Sequence, residues 1–338
     1  MRYSLEHMKN IRVGILGCAD IAERYAIPAF RSLPHVEVVA IASRDIGKAQ
    51  ECAKRHDLEA ETYDSLIVRS DIDVLYIPLP VGLQEEWTLR AAAAGKHCIC
   101  EKSLTYSLES AEKMVAACKA NGVALYENFV PEFHPQHAKI LSLITEGAIG
   151  TPHAWMGCDG YPPRSEDDIR YRSDLKGGSL NYAGCYTVFM ARKIMQGEPR
   201  AVTCRLTHSD SGIDVAGSAL LEFEKGEAMM SFGFDHLYQN TYTVWGSKGM
   251  VRTTRAFAIP PSLLPPVELI TNDGTKEQRE AVEVPAANQF ALSFDFFTKA
   301  VATHDVAQFE DMYERILKQA RVLEAMRVSA KEGRRVVL

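Results

Sequence analysis

No run in the chain approaches the roughly 18 consecutive apolar residues of a membrane span. The opening MRYSLEHMKN has no apolar core segment and does not read as a signal peptide. Positive charge is not in excess either: 38 Lys+Arg face 44 Asp+Glu, giving a net charge of −6 with histidine neutral. That balance suits neither a phosphate backbone nor an anionic membrane, so no nucleic acid and no membrane is expected as a partner. The eight cysteines form no C-x-x-C pair and have no histidine pair at ligand spacing beside them, which sets a structural zinc aside. Cys98 and Cys100, two apart on an expected strand, share a face and read as core. His134 and His137 are three apart, but Pro135 interrupts a single helical face, and no metal is expected. Unpaired thiols point to a reducing compartment, and the expected location is the cytoplasm.

What is present is ordinary for a soluble globular protein: 46% hydrophobic and 24% charged residues over a length of 338. At about 150 residues per domain this suggests two domains. Residues 11–16, 36–42, 73–77, 97–101 and 123–126 read as strands, with helices expected over 20–33 (interrupted by Pro28), 45–56, 84–94 and 107–121. That alternation predicts parallel βαβ units covered on both faces. Past about residue 150 the pattern changes to strands joined by turns, at 202–208, 217–224, 228–234, 242–246 and 250–254. Glu224-Lys225-Gly226 and Ser247-Lys248-Gly249 are hairpin signals, and helices over 288–303 and 309–332 close the chain. There is no repeat or low-complexity linker, only a proline-rich loop at 260–266. The expected fold is α/β: an N-terminal Rossmann dinucleotide-binding domain (10–128) plus a C-terminal α+β domain with an open antiparallel sheet (129–338). An open sheet with apolar positions needs a partner, so a homodimer or homotetramer is expected.

The turn from the first strand into the first helix reads Gly14-Ile15-Leu16-Gly17-Cys18-Ala19-Asp20-Ile21-Ala22. Gly17 permits the tight turn, Ala19 lets backbone approach a pyrophosphate, and Ala22 lets helix and strand pack closely. The helix N-terminus supplies N–H donors and partial positive charge. After the second strand the first polar residues are Ser43 and Arg44, with Lys48 a turn later. A hydroxyl and a guanidinium suit a 2'-phosphate better than a diol, which favours NADP (NADPH) over NAD. The competing reading makes Ser43 a helix N-cap and leaves Arg44 in solvent.

With Ala94-Gly95-Lys96-His97-Cys98-Ile99-Cys100-Glu101-Lys102, Glu127-Asn128-Phe129, Phe133-His134-Pro135-Gln136, Gly147-Ala148-Ile149-Gly150, Asp168-Ile169-Arg170-Tyr171-Arg172 and the Gly177-Gly178 turn, the chain resembles the Gfo/Idh/MocA oxidoreductases. Within that family it looks closest to the NADP-dependent branch with sugar 3-ketoreductases, xylose dehydrogenases and dihydrodiol dehydrogenases. The resemblance implies hydride transfer between nicotinamide and a sugar carbon, with Lys102 and Tyr186 catalytic. It also implies a cofactor held by Gly17, Cys18, Ala19, Asp20, Ile21, Ser43, Arg44, Lys48, Leu79, Pro80, Gln84, Glu101, Lys102 and Asn128. The substrate, a sugar or nucleotide-linked sugar, would meet Lys102, Arg170, Tyr182 and Tyr186. Reducing a ketone builds negative charge on oxygen that a proton must meet. A phenol with a pKa of roughly 10 donates reluctantly, and a neighbouring ammonium makes it a better acid.

Three residues depart from the family pattern. Tyr182 stands where an Asp is usual, Ser103 replaces the proline after Lys102, and Gln84 occupies a position often held by His. Tyr182 and Tyr186, four apart, are expected on one helix face. Arg164, Arg170 and Arg172 suit a diphosphate, although Asp167, Asp168 and Asp174 among them equally suit a self-paired loop. His236, Tyr238 and Tyr242 are candidates for stacking on a sugar or base, or for an interface. The alternative function is a non-catalytic NADP-binding regulator on the same fold.

Overall fold

The computed structural model describes residues 9–272 and 274–338; the N-terminal segment read as lacking a leader lies mostly outside them. The described chain forms two compact units. One holds the residues up to Asn128 together with Phe290–Leu317, the other Phe129–Gln289 with Lys318–Leu338. The contiguous division expected from sequence therefore differs from the structure at 290–317, where ring packing explains the grouping. Phe294 stacks on Phe30 at 3.9 Å and meets Tyr76 edge-on at 5.6 Å.

The first unit is a six-stranded parallel sheet of β1 (Ile11–Leu16), β2 (Val36–Ala42), β3 (Glu59–Glu61), β4 (Val74–Ile77), β5 (His97–Glu101) and β6 (Leu125–Asn128). Its order is β3-β2-β1-β4-β5-β6, every pair parallel. This is the doubly wound order in which the winding reverses between β1 and β4, and ligands bind beyond the strand ends there. β4 is buried throughout, as its apolar Val-Leu-Tyr-Ile run requires of a strand covered on both faces. The segment expected as a helix over 20–33 interrupted at Pro28 changes earlier, with a wide π turn at Ala22–Ala26 before α1 (Ile27–Arg31). Pro28, which has no N–H to give, lies just past that turn. α2 (Ile46–His56) starts on Asp45, whose carboxylate accepts from the N–H groups of Gly47 and Lys48 at 2.8 and 3.3 Å. β3 and α3 (Tyr63–Val68), absent from the sequence reading, follow it. α4 (Val81–Ala93) and α5 (Leu108–Ala120) complete the crossovers.

In the second unit, α6 (Pro135–Thr145) precedes β7 (Pro152–Tyr161). α7 (Cys185–Ile194) then leads to β8 (Ala201–His208), β9 (Asp214–Glu222), β10 (Glu227–Phe234), β11 (Gln239–Gly246) and β12 (Gly249–Thr253). β13 (Val267–Asn272) and β14 (Glu277–Val282) extend one edge and β15 (Val336–Val337) the other, in the order β14-β13-β12-β11-β7-β10-β9-β8-β15. Both signalled hairpins form, β9 to β10 and β11 to β12. The expected purely antiparallel sheet is corrected at its centre, where β10 runs parallel to β7 from Glu227↔Ala154 to Phe234↔Tyr161. The chain passes from β7 to β8 through α7, the kind of helical crossover that parallel strands need. α8 (Gln289–Ala302) and α9 (Val306–Glu332) match the two closing helices. The core between α7 and the sheet is built on Trp155, Phe232, Met230, Val188 and Tyr242. Tyr242 is therefore interior, stacked on Trp155 and bonded to His137 at 2.8 Å, and is not available to stack on a ligand.

Candidate active site

The predicted cofactor residues of the first unit converge at the carboxyl ends of its strands. Gly17 has φ +139°, a conformation that side chains disfavour, and a Cβ there would lie 3.1 Å from Leu79 Cδ2 and 3.7 Å from Pro78 Cγ. The turn after β1 is thus pressed against the loop after β4, which brings Gly17 and Leu79 together. The carbonyl of Ala19 accepts the first helical N–H groups, from Ala22 at 2.9 Å and Glu23 at 3.1 Å. Cys18 Sγ reaches the carbonyls of Ala42 (3.7 Å) and Lys48 (3.9 Å), which sets the phosphate turn beside the Ser43, Arg44 and Lys48 segment. Burial pushes the Cys18 thiol up, so it is a packing group and not a nucleophile.

Ser43 does not cap α2. Asp45 does, while Ser43 Oγ accepts the Asp45 N–H at 3.3 Å and is itself buried. Arg44 and Lys48 are exposed. The Tyr63 hydroxyl, 3.8 Å from the Cβ position at Gly17, is raised by burial and drawn back by the Arg44 charge. Glycine turn, Tyr63 and Arg44 therefore form one neighbourhood.

At the end of β5, Glu101 is buried and accepts from Tyr76 Oη and Asn128 Nδ2, both at 2.8 Å; burial raises its pKa. Asn128 Oδ1 accepts from Ser293 at 2.8 Å. Glu101 and Asn128, paired across β5 and β6, are thereby committed to an internal network that fixes the strand ends. Lys102 follows, half-buried, and the Lys102–Ser103 peptide is cis. Gln84 Nε2 donates to the carbonyls of Leu79 (3.1 Å) and Ser103 (3.2 Å), tying the two loops together. Its buried Oε1 has no partner among the described residues.

In the second unit a π turn at Leu180–Gly184 carries Tyr182 and runs directly into α7, which carries Tyr186. Such widened turns recur at functional sites. Tyr186 is framed by Phe129 edge-on at 5.9 Å and by Phe257 stacked at 5.7 Å. Tyr182 lies under Arg170, whose guanidinium carbon is 5.2 Å from the ring centroid. Arg170 Nη1 also binds both oxygens of Asp168, at 2.9 and 3.0 Å, and Arg172 binds Asp174. The arginine loop is thus internally paired, although the buried Arg170 Nε has no partner among the described residues.

Two supports have no short-range sequence signal. Asp214 accepts from Ser179 Oγ (2.8 Å) and the Leu180 N–H (2.6 Å), starting the helical segment that bears both tyrosines. Asn240 Oδ1 accepts the Phe257 N–H at 2.7 Å and so places the ring stacked on Tyr186.

Residues 11–129 match the oxidoreductase family GFO/IDH/MocA, NAD-binding Rossmann fold, and residues 137–252 match the GFO/IDH/MocA C-terminal domain. The chain is 37% identical to dTDP-3,4-didehydro-2,6-dideoxy-alpha-D-glucose 3-reductase of Actinomadura kijaniata, over 95% of this chain and 96% of the relative. It is 30% identical to D-xylose 1-dehydrogenase (NADP(+)) 2 of Haloferax volcanii, over 96% and 99%. The crystal structure of KijD10, a 3-ketoreductase from Actinomadura kijaniata in complex with NADP and TDP-benzene, matches at TM-score 0.88 and 36% identity, covering 95% of this chain and 98% of that one. The chain belongs to the Gfo/Idh/MocA family of oxidoreductases.

Proposed function

We propose that the chain is an NADP(H)-dependent sugar oxidoreductase whose preferred substrate is a nucleotide-linked keto-sugar. The observation that carries the cofactor half is the neighbourhood of Gly17, Ser43 and Arg44. The glycine turn leaves room for a pyrophosphate, and Asp45, by taking the cap, leaves the Ser43 hydroxyl proton and the Arg44 guanidinium for a phosphate on the adenosine ribose. The residues present fit that cofactor, which supplies the hydride. Tyr186 gives the carbonyl oxygen its proton as the hydride adds to carbon, and Lys102 supplies positive charge for the developing oxyanion. The buried Arg170 Nε, without a partner among the described residues, supports a diphosphate-bearing substrate. The related 3-ketoreductase solved with TDP-benzene and the 37% identical dTDP-sugar reductase support the same class. These relatives are enzymes, and the regulatory alternative is not carried further.

NADPH oxidation screened over nucleotide-linked keto-sugars, free keto-sugars and aldoses tests the assignment. Lys102→Ala and Tyr186→Phe are each expected to lower kcat by about 10²–10⁴, with NADPH affinity retained in Tyr186→Phe. Full rates in both variants would sink the assigned roles, and turnover of free sugars alone would sink the nucleotide preference.

All eight cysteines are free and no described helix is long and apolar enough to cross a membrane, which supports a cytoplasmic location. Met229 and Trp245 are 42% and 51% exposed on the sheet, Met229 in register with Leu220 and Met156. That apolar row supports a second copy as its cover. Light scattering should report a dimer or tetramer, and Met229→Lys combined with Trp245→Lys a monomer; a monomeric parent protein would refute it.

A further inference from the structure

Beside the phosphate turn, three groups of different chemistry converge that no part of the proposed reaction uses. Cys52 and His56 stand four apart on α2, so their side chains share one face. Glu23 comes from the facing π turn. Cys52 Sγ, a ring nitrogen of His56 and a carboxylate oxygen of Glu23 all lie within 4.8 Å of one another. His56 Nε2 is 3.0 Å from Glu23 Oε2, whose carboxylate also takes the Arg55 fork at 2.7–3.0 Å. Cys52 is fully buried, whereas His56 and Glu23 each keep 21% of the side chain exposed.

Thiolate, imidazole and carboxylate together are a donor set for a borderline-soft ion of tetrahedral preference, and a poor one for magnesium or calcium. Bonds of about 2.0–2.3 Å place tetrahedral ligand atoms roughly 3.3–3.8 Å apart. Binding would require rotamer adjustment of the two partly exposed side chains, with Arg55 giving up Glu23 Oε2 and keeping Oε1, which it already meets at 3.0 Å. We propose that Cys52, His56 and Glu23 form a zinc site that braces α2 against the π turn at Ala22–Ala26, with the fourth position taken by water. On binding, the Cys52 S–H bond breaks, its proton leaves to solvent and a zinc–thiolate bond forms; nothing is oxidised or reduced. This goes beyond the oxidoreductase reading and stands or falls separately from it.

The test uses the full chain, stripped with chelator and titrated with cobalt(II) as a spectroscopic stand-in, followed by zinc competition. The expected result is one cobalt per chain, a thiolate-to-cobalt charge-transfer band, the visible bands of tetrahedral cobalt, and displacement by zinc. Cys52→Ser should abolish the charge-transfer band. His56→Ala and Glu23→Gln should each weaken binding by more than the roughly 10–100-fold that loss of an outer-shell partner brings. Cys158→Ser, in the second unit, should bind like the parent, and zinc should raise the Tm of the parent but not of His56→Ala. An absent charge-transfer band, its persistence in Cys52→Ser, or unchanged affinity in His56→Ala overturns the site. Should Cys52→Ser fail to fold, the partly exposed His56→Ala decides alone.

Discussion

At the scale of the residue, the capping role open to Ser43 is taken by its neighbour Asp45. A short polar side chain just after a strand reads equally as a helix cap or a ligand group, and here Asp45 bonds the Gly47 and Lys48 amides itself, so Ser43 is not the cap. Arg44, exposed and carrying no ion pair among the described residues, is then free to meet a phosphate. A charge-assisted bond is worth about 1.5–3 kcal/mol, so Arg44→Ala should raise the KM for NADPH at least about tenfold. The KM for NADH should move less than about twofold, since NADH has no phosphate to lose. Steady-state kinetics with both cofactors checks this, and an equal rise for the two would place Arg44 outside the discriminating contact. The tight turn at Gly17 was legible because it is a short run with a local backbone requirement, and the structure sets the Ser43, Arg44 and Lys48 segment beside it. Gln84 was not: an amide beside a cofactor loop suggests a ligand contact, yet its nitrogen ties Leu79 to Ser103, nineteen residues away. Cys52 and His56 escaped for the opposite reason. Their i, i+4 spacing is in the sequence, but the third group, Glu23, lies on another helix.

At the scale of the element, the segment bearing Tyr182 and Tyr186 begins on a support from another strand. Gly178 has φ +116°, and a Cβ there would collide with the Asp214 carboxylate. That closeness lets Asp214, 34 residues from Leu180, receive both the Leu180 N–H and the Ser179 hydroxyl. Removing the carboxylate leaves buried donors unpaired, at a cost of about 1–3 kcal/mol each. Asp214→Ala should therefore lower the urea midpoint and, by loosening the turn that carries Tyr182, reduce kcat with little change in NADPH affinity. Asp214→Asn, which keeps one acceptor oxygen, should recover part of both losses. Unchanged stability in Asp214→Ala would show that Ser179 and Leu180 find other partners. The π turn here was illegible because it depends on this long-range bond, not on local propensity. β14 was missed for a related reason: Glu-Gln-Arg-Glu-Ala is polar and almost wholly exposed, as an edge strand guarded by charge tends to be. β10, alternating buried and exposed over its first six residues, was legible, whereas its parallel partner β7 was not read as a strand.

At the scale of the molecule, length suggested two domains, and the change from βαβ grammar to hairpins past about residue 150 lies inside the second unit, which begins at Phe129 and returns after Phe290–Leu317. The amphipathic helix at 289–302 carries no mark of which core it joins, because Phe294 would fill an apolar site in either unit. What the sequence also conceals is how many histidines the folded chain holds neutral. Burial pushes His137 down to about 3, with the His134 charge acting the same way, and pushes His134 and His97 down to about 4. The ring nitrogens of His137 meet the Tyr242 hydroxyl at 2.8 Å and the Ala256 carbonyl at 2.9 Å, partners that suit a neutral ring. All three titrate near 6.5 once unfolded. A folded pKa below the unfolded one contributes stability that is complete above the unfolded value and is lost as pH falls toward the folded value. The unfolded chain therefore binds more protons between about pH 6.5 and 4. Each such group lowers the unfolding free energy by about 1.4 kcal/mol per pH unit there. Urea unfolding followed at pH 7.5, 6 and 5 should show midpoints falling steeply below pH 6.5. His137→Gln should start less stable at pH 7.5, because it forfeits the fit to Tyr242 and Ala256, and then lose stability with a shallower slope. Parallel slopes for parent and variant would mean that His137 takes up its proton inside the fold, and the acid sensitivity would then belong to His97 and His134.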